Sequence, residues 1–439
     1  MVTRYNAWEK GHSKPRIAVV NLGCRVNRVE TDLIARRLVD AGCSIAIGDE
    51  ASADVIVINT CAVTGEAQAK TRKAVRHAAR LVGASRVVVC GCAVSLFAEE
   101  LRTSAPDIVL ETQKDLVPSR VLSILGADAH AAPTSSELAV APTPTGRMRP
   151  GIKIQDGCDN RCSFCIVWKA RGPSRSLSSK EIIRAIDEAC ARGAHEVVLT
   201  GINLGSYRAP SDDDLGKDAR LEELLGTILS RTGIERVRLS SIEPPDVTDA
   251  LLDVMAQSGG RIAPFLHICL QSGCDATLER MGRLYRTSHY AQIVKTARRR
   301  LHKVAIGTDV IVGFPGETDE EFAETCDFCR QMGFAKMHIF RYSRRPGTPA
   351  ARFANQVDPH TSSRRSKELR RIAHDLRMAN LSELDGERDD VLVIAPGRAI
   401  DSRLFEVKVN PQLEVDSMVN VRLELDGVGE LKGLVDTKS

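Results

Sequence analysis

No stretch of this 439-residue sequence predicts a membrane helix, because no run reaches the roughly 18 apolar residues that a span requires. A signal-like apolar opening is also missing, since Met1–Arg16 is polar with charges throughout. These absences predict a soluble, cytoplasmic protein with no membrane partner. Thiols stay reduced in that compartment, so the 13 cysteines are better interpreted as metal ligands or buried small residues than as disulfides.

The sequence also lacks a strong excess of either charge. Its 61 Lys and Arg residues against 57 Asp and Glu residues give a net charge of +4, which is compatible with nucleic acid binding but does not require it. Hydrophobic residues make up 43% of the chain, enough for sizeable cores, which excludes a disordered protein. The length predicts about two to four domains, and no internal repeat is visible.

Residues 1–125 alternate short apolar runs with amphipathic stretches in βαβ order, which predicts an α/β domain with a parallel sheet. The predicted strands are Arg16–Leu22, Asp54–Asn59, Arg86–Cys90 and Asp107–Leu110, and the predicted helices are Glu30–Ala41 and Glu66–Val82. Residues 126–147 are rich in Ala, Pro, Ser and Thr without clear periodicity, so we expect a linker there.

Residues 148–385 restart the alternation of strands and helices, and six strand–helix units predict a partial (β/α)6 barrel rather than a closed eight-fold one. The predicted strands are Ile152–Gln155, Glu196–Thr200, Arg236–Ser240, Phe265–Leu270, Ala305–Val312 and Lys336–Phe340. Residues 386–439 carry short alternating strands instead, which predict a small all-β barrel.

Three closely spaced cysteines, Cys158, Cys162 and Cys165, form a C-x3-C-x2-C pattern. Three thiolates can hold three irons of a four-iron cubane, and they leave the fourth iron open to a substrate or cofactor. The alternative is zinc, but structural zinc sites use four ligands, usually as two C-x2-C pairs, and no second pair lies nearby. The pattern therefore favours an iron–sulfur cluster.

A second set of cysteines follows three predicted strands of the first domain, about one βαβ unit apart. The set is Cys24, Cys61 and Cys92. The carboxyl ends of parallel strands share one edge, where ligands bind, so the three thiols should converge there. The alternatives are three buried core cysteines, or Cys90 as the ligand in place of Cys92. Gly23 and Gly91 would let the backbone approach a cluster closely.

Several motifs together resemble the methylthiotransferases, a family of radical S-adenosylmethionine (SAM) enzymes, across nearly the whole chain. The motifs are Asn21–Asn27, Asn59–Thr64, Gly91-Cys92, Cys158–Cys165 with Ala170–Gly172, Leu199–Tyr207, Ser240–Pro244, Gln271–Gly273 and Gly307–Thr318. The resemblance implies an N-terminal domain that binds an auxiliary cluster, a radical SAM core, and a terminal barrel similar to the RNA-binding TRAM domain.

The resemblance implies two 4Fe-4S clusters and SAM as cofactors. The open iron of the core triplet would chelate SAM beside the aromatic Phe164, and the open iron on Cys24, Cys61 and Cys92 would carry the sulfur. A first SAM would methylate that sulfur. A second would generate the deoxyadenosyl radical that starts replacement of the unactivated hydrogen at carbon-2 of an adenine.

Within the family, Asn59–Thr64 and Thr200–Tyr207 look most like the group that modifies N6-threonylcarbamoyladenosine-37 of tRNA. The alternatives are isopentenyladenosine-37 of tRNA and an aspartate of a ribosomal protein. The expected partners are a tRNA anticodon stem-loop and an electron donor. A non-catalytic iron–sulfur electron carrier attached to RNA is another class, but it would need four ligands per cluster and only three are visible at each.

The strand ends of the predicted core barrel offer polar contacts for SAM. The candidates are Thr200, Gly201, Asn203, Ser241, Glu243, Gln271 and Asp309. Glu243 is interpreted either as a contact for ribose hydroxyls or as an exposed loop acid. Asp309 lies in an apolar strand, where an unpaired carboxylate is costly, so we expect it to contact a ligand, an arginine or the backbone. His267 is similarly placed, with a satisfied core histidine as the alternative.

A basic segment, Arg364–Arg371, carries five positive charges against one acid, and Arg341, Arg344 and Arg345 lie just before it. Such clusters suit contacts to RNA phosphates, although a charge-rich helix is usually only a solvated face.

Overall fold

The computed structural model describes residues 14–127, 149–209 and 219–435, and these form two compact units. The first unit contains the described residues up to Lys153 together with Gly157–Asp159 and Ile166–Pro173, and the second contains the remainder. The predicted linker lies outside the described residues apart from its first two positions. Within the three described ranges, no helix is long and apolar enough to cross a membrane.

The first unit is built on a five-stranded parallel sheet with the strand order β2-β1-β3-β4-β5, which confirms the predicted parallel-sheet domain. Its elements are β1 (Arg16–Asn21), α1 (Arg25–Asp40), β2 (Ser44–Ala46), β3 (Val55–Thr60), α2 (Gly65–Val82), β4 (Val87–Gly91), α3 (Cys92–Ser104), β5 (Val109–Glu111), α4 (Val117–Ile124), β6 (Gly151–Lys153) and α5 (Val167–Arg171). All of β3 is buried, as expected for a parallel sheet covered on both faces.

Helix α1 begins at Arg25, five residues before the predicted start at Glu30. Its first turns bury polar side chains, among them Asn27, Glu30 and Thr31, so the hydrophobic period does not reveal them. The earlier start places Cys24 at the N-cap of α1, in an extended backbone conformation.

The second unit contains the incomplete barrel, and the predicted α/β class is confirmed. Its elements up to the last barrel strand are β7 (Gln155–Asp156), β8 (Arg175–Ser176), α6 (Ser179–Cys190), β9 (Glu196–Thr200), α7 (Leu221–Arg231), β10 (Arg236–Leu239), β11 (Ser241–Ile242), α8 (Asp249–Gln257), β12 (Phe265–Ile268), α9 (Asp275–Arg280), α10 (Thr287–Arg300), β13 (Ala305–Val312), α11 (Asp319–Met332) and β14 (Lys336–Arg341). Strands β9 and β10 pair in parallel, and β11 to β14 form a four-stranded parallel sheet.

The end of the chain forms a closed five-stranded barrel with the order β15-β16-β17-β19-β18, which confirms the predicted all-β barrel. It follows α12 (Pro359–Ser382) and contains β15 (Arg388–Ala395), β16 (Arg398–Ile400), β17 (Glu406–Lys408), β18 (Met418–Leu425) and β19 (Leu431–Leu434). The buried Arg238 of β10 donates to the carbonyl oxygens of Asp401 and Ser402, and to the carboxylate of buried Glu196. This charge-assisted contact fixes the small barrel to the partial barrel.

Asp401 is fully buried just after β16. Its Oδ1 accepts a hydrogen bond from the Phe405 N–H at 2.6 Å, while its Oδ2 has no hydrogen-bond partner among the described residues. Burial, together with the nearby Asp389 carboxylate, raises the pKa of Asp401 to about 7. The folded protein therefore keeps a proton on Asp401 in conditions where the unfolded chain has released it.

We expect Asp401→Asn to remove a pH-dependent loss of stability. Between the ordinary Asp pKa and the folded value of about 7, stability falls as pH rises, because only the unfolded chain has lost the proton. The Tm of the variant should match the parent near pH ~4 and exceed it by several degrees near pH ~8. The exposed Asp327→Asn is the matched control and should follow the parent, whereas parallel curves for Asp401→Asn and the parent would contradict the assignment.

Candidate functional site

The strand register of the first unit places three cysteines at one edge of its sheet. In the pairing of the adjacent strands β1, β3 and β4, Asn21 lies opposite Asn59, and Thr60 lies opposite Gly91. The edge cysteines are Cys24, three residues after β1, Cys61, directly after β3, and Cys92, directly after β4. Neighbouring strands lie about 4.8 Å apart, so the three follow one another along the carboxyl edge of the sheet. Their role as cluster ligands stays a prediction.

Cys90 and Cys92 have different surroundings. Cys90 lies within β4 in the apolar core, and burial raises the pKa of its thiol to about 12. A thiol with so high a pKa is a poor source of the thiolate that iron requires. Cys92 is the first residue of α3, beyond the end of the strand. These environments favour Cys92 over Cys90 as a ligand.

The glycines beside these cysteines are required by packing against polar side chains. A Cβ on Gly91 would lie 2.5 Å from Asn59 Oδ1 and from the Thr60 carbonyl oxygen, and its φ of +98° is in the region that favours glycine. A Cβ on Gly23 would lie 2.4 Å from the Asn27 side chain. The close approach of two asparagine side chains therefore explains both glycines without any cluster.

Hydrogen bonds between Asn27 and Asn59 hold the first turn of α1 against β3. The Asn27 Nδ2 donates to Asn59 Oδ1 at 3.0 Å and to the Thr60 carbonyl at 2.8 Å, and the Asn59 Nδ2 donates to the Asn27 carbonyl at 2.8 Å. The Cys24 thiol donates to Asn27 Oδ1 at 3.4 Å. Because both amides are fully buried, these bonds fix the backbone that carries Cys24 and Cys61.

A cluster of three cations around one buried carboxylate lies beside Asn27, and it was not predicted from the sequence. Its arginine is buried and its two lysines are half-buried. The cluster consists of Arg171, Lys153 and Lys114 around the carboxylate of Glu30. Arg171 also donates to Asn27 Oδ1 at 2.7 Å. Burial opposes ionisation of Glu30, but the three cations outweigh it and hold the pKa of that carboxyl well below its usual range. Three cations against one anion leave a positive excess beside Asn27, the residue that accepts from the Cys24 thiol.

The core triplet lies on one loop between β7 and α5. The N–H of Cys165 donates to the Cys162 carbonyl at 3.1 Å, and the N–H of Cys158 donates to the Gly172 carbonyl at 3.1 Å. Gly157 has a φ of +74°, and a Cβ there would lie 1.9 Å from the Pro173 carbonyl oxygen. Phe164 packs edge-on against Phe314, with the ring centroids 6.5 Å apart. These backbone hydrogen bonds and the close packing at Gly157 fix the start and the turn of the cysteine loop.

Arg283 is a second residue that the sequence analysis missed. Its guanidinium is buried, and it donates to Cys162 Sγ at 2.9 Å and to the Tyr285 hydroxyl at 3.2 Å. It also forms an ion pair with Glu243. The contact fixes the position of the Cys162 sulfur and directs an N–H donor at it. The signal that could have found it is its place shortly after the Gln271–Gly273 motif.

The structure excludes one of the two predicted roles of Glu243, that of an exposed loop acid. The structure gives its carboxylate a buried arginine as partner, so it is not an exposed loop acid. The contact holds Glu243 within the same network as Cys162. A contact to ribose hydroxyls stays a prediction, because a carboxylate can accept from hydroxyls and from arginine at once.

The ends of strands β9 and β10 carry buried polar atoms without partners. Thr200 Oγ1, Asn203 Oδ1 and Ser240 Oγ have no hydrogen-bond partner in the part of the chain that the structure describes. Gln155 Oε1 accepts from the N–H groups of Ile202 and Asn203, which holds this turn in place. Orphaned polar atoms are costly, so their grouping fits a polar ligand such as SAM.

The other predicted contacts lie on the neighbouring strands. Gly201 directly follows β9, and a Cβ there would lie 2.8 Å from Gln155 Oε1. Ser241 begins β11. Gln271 has a φ of +67°, and its N–H donates to the Asp309 carbonyl at 2.8 Å. These residues lie near strand ends, as predicted. Their contacts to SAM stay a prediction.

Asp309 has partners that were not among those expected. Its Oδ1 lies 3.0 Å from His267 Nε2 and 3.0 Å from His338 Nδ1, and the Cys269 thiol donates to its Oδ2 at 3.7 Å. Burial opposes ionisation, but the two histidines hold the pKa of Asp309 well below its usual range. The ligand atoms of Asp309, His267 and His338 all lie within 4.8 Å of one another, so this set could hold a metal ion.

Two arginines of the predicted basic region are structural rather than available to phosphate. Arg365 is buried and pairs with Glu317 at 2.7 Å and Asp319 at 2.9 Å, and Arg345 is 2% exposed. Arg364 is exposed but also contacts Asp319 at 2.9 Å. The remaining cations are exposed: Lys367, Arg370 and Arg371 on α12, and Arg341 and Arg344 before it. The positive surface is therefore smaller than the sequence suggests.

Two family models match this sequence. The Radical SAM superfamily matches residues 152–329, and the Uncharacterized protein family UPF0004 matches residues 16–111. The first match contains the core triplet, the unpartnered strand-end atoms and Arg283, and the second contains the three edge cysteines.

The sequence is similar to curated methylthiotransferases over most of its length. It is 38% identical to the threonylcarbamoyladenosine tRNA methylthiotransferase MtaB of Bacillus subtilis, over 87% of this chain and 85% of that protein. It is 34% identical to the tRNA-2-methylthio-N(6)-dimethylallyladenosine synthase of a Parafrankia species, over 89% of this chain and 83% of that protein.

Among solved structures, the chain resembles the radical SAM methyltransferase TsrM of Kitasatospora setae. The TM-score is 0.53 at 17% identity, over 77% of each chain, which supports the fold alone. The identity and coverage of the curated relatives, together with the two cysteine sites, show that the chain belongs to the methylthiotransferase family of radical SAM enzymes.

Proposed function

We propose that this enzyme transfers a methylthio group to carbon-2 of N6-threonylcarbamoyladenosine-37 in tRNA, using two SAM molecules and two 4Fe-4S clusters. The observation that carries the proposal is the presence of two separate cysteine triplets, each one ligand short of a filled cubane. The printed name of the Bacillus subtilis relative supports this substrate, and the relatives from Thermotoga maritima and Chlamydia pneumoniae carry the same name.

Membership of the radical SAM enzymes implies SAM and one 4Fe-4S cluster. Cys158, Cys162 and Cys165 would hold that cluster, and Thr200 and Asn203 would bind SAM with their unpartnered oxygen atoms. When bound, these groups supply the reductive cleavage that makes a radical able to attack an unactivated C–H bond. Arg283 orients Cys162 and stabilises charge on its sulfur.

The second cluster would be held by Cys24, Cys61 and Cys92. Three observations support this second cluster. The cysteines follow strands that share one edge, the hydrogen bonds between Asn27 and Asn59 fix the backbone there, and the cations around Glu30 leave a positive excess. Arg171 joins these features, because it contacts both Glu30 and the Asn27 amide that accepts from the Cys24 thiol. The positive excess would stabilise the negative charge of a cluster held by three thiolates.

Dimethylallyladenosine-37 of tRNA is the second candidate substrate. The Parafrankia relative bears the name of that activity. An aspartate of a ribosomal protein is less well supported, since the curated relatives cited above carry tRNA in their names. A tRNA nucleoside measurement separates the first two, because the threonylcarbamoyl and dimethylallyl products differ in mass.

The substrate can be tested in a bacterial strain that lacks its own threonylcarbamoyladenosine methylthiotransferase. We expect expression of this chain to restore 2-methylthio-N6-threonylcarbamoyladenosine in digested tRNA, measured by liquid chromatography and mass spectrometry. Cys162→Ala should restore none, because the core cluster would lose one of its three ligands. A strain that gains only the methylthio-dimethylallyl nucleoside would favour the second candidate, and no new methylthio nucleoside would refute both.

The ligands of the second cluster can be tested by a matched pair of neighbouring cysteines. Cys92→Ala should lose about four irons per chain after anaerobic reconstitution, whereas Cys90→Ala should keep all of them, because Cys90 belongs to the apolar core. Iron and sulfide assays with electron paramagnetic resonance provide the measurement. The opposite pattern would make Cys90 the ligand, and full iron content in both variants would refute the second site.

A further inference from the structure

Strand β14 is the last strand of the four-stranded sheet, and two of its side chains form a partly exposed aromatic surface. His338 and Phe340 are two residues apart in the strand, so they point to the same side of the sheet. Their rings meet edge-on with centroids 6.5 Å apart. We call this pair the β14 aromatic surface.

The imidazole of His338 is held in one orientation. Its Nδ1 lies 3.0 Å from Asp309 Oδ1 on the neighbouring strand, and its ring stacks on His267 with centroids 5.1 Å apart at 29°. Asp309 lies directly opposite His338 in the strand register. Because Nδ1 faces the carboxylate, Nε2 is the nitrogen that His338 can present to a ligand.

The Phe340 side chain is more exposed to solvent than is usual for a phenylalanine. Its side chain is 41% exposed, and it is the one aromatic residue among the large exposed hydrophobic residues of the described ranges. The chain has few aromatic residues, 4% in all, so this placement is not a consequence of aromatic abundance.

We propose that the β14 aromatic surface is a binding subsite for a purine base of the RNA substrate, with the base stacked on Phe340 and hydrogen-bonded by His338. This inference rests on the proposed function, because it requires an RNA substrate. A base in an anticodon loop can leave the stack, and aromatic side chains bind such bases through their faces. A fixed imidazole adds a polar contact at the base edge.

The Asp309, His267 and His338 set could instead hold a metal ion, but two observations favour the base. The Nδ1 atom of His338 already forms a hydrogen bond with Asp309 Oδ1 at 3.0 Å. A metal site also gives no reason for an exposed phenyl ring next to it. Binding measured with and without EDTA therefore distinguishes the metal from the base.

The test measures binding of a fluorescently labelled anticodon stem-loop RNA, with 2-aminopurine at position 37, to the cluster-reconstituted full-length protein. Stacking on an aromatic ring is worth about 1–3 kcal/mol per base, so Phe340→Ala should weaken binding by roughly 5-fold or more. Phe340→Leu keeps the apolar volume without the aromatic face and should weaken binding similarly, while Phe340→Tyr should retain it. His338→Gln should reduce the quenching of 2-aminopurine.

The salt dependence of binding distinguishes stacking from a phosphate contact. The slope of log K against log salt should be unchanged in Phe340→Leu, because no phosphate contact is lost. Leu81→Ala is the matched control, since Leu81 is 38% exposed on α2, and it should bind as the parent does. Iron content and circular dichroism should match the parent in every variant that is compared.

Three results would overturn the subsite. If the parent binds the RNA and Phe340→Ala and Phe340→Leu bind equally well, the subsite is wrong while the proposed function stands. If the parent does not bind the RNA, the proposed function and the subsite both fail. If the effect of His338→Gln disappears in the presence of EDTA, the His–Asp–His set holds a metal and does not contact the base directly.

Discussion

The register of three neighbouring parallel strands is the constraint on which the first unit's site depends. Asn59 pairs with Asn21 on one side, and Thr60 pairs with Gly91 on the other, so β1, β3 and β4 end close together. A slip of one residue in β3 would reverse every side chain of that strand. The buried asparagine bonds and the close approach at Gly91 oppose such a slip, since each would be broken by it.

Electrostatics connects this edge to the core segment of the sequence. Arg171 comes from the Ala170–Gly172 motif, yet its guanidinium contacts Glu30, 141 positions earlier in the chain. Removing one partner of such a buried ion pair typically costs about 3–5 kcal/mol, because the other charge remains buried without compensation. The pair therefore holds the Ala170–Gly172 segment firmly against α1.

The strands were predictable because their runs are strongly apolar, and the placement of Cys24, Cys61 and Cys92 after β1, β3 and β4 followed from them. That these cysteines hold clusters stays a prediction. The start of α1 could not be predicted, because its first turns bury Asn27 and Glu30 at positions where a helical hydrophobic period predicts apolar residues. The partners of Arg171 and Arg283 could not be predicted from the sequence, because they lie in distant segments of the chain. The partners of Asp309 were missed for the same reason: two histidines on neighbouring strands surround it.

The central claim is that each cysteine triplet holds a cluster with one iron that the protein leaves open. Mössbauer spectroscopy of the wild-type protein reconstituted with ⁵⁷Fe tests it most directly. We expect about eight irons per chain, with SAM altering the signal of one iron and methanethiolate altering a different one. Four irons per chain, or clusters whose spectra neither ligand changes, would contradict this account.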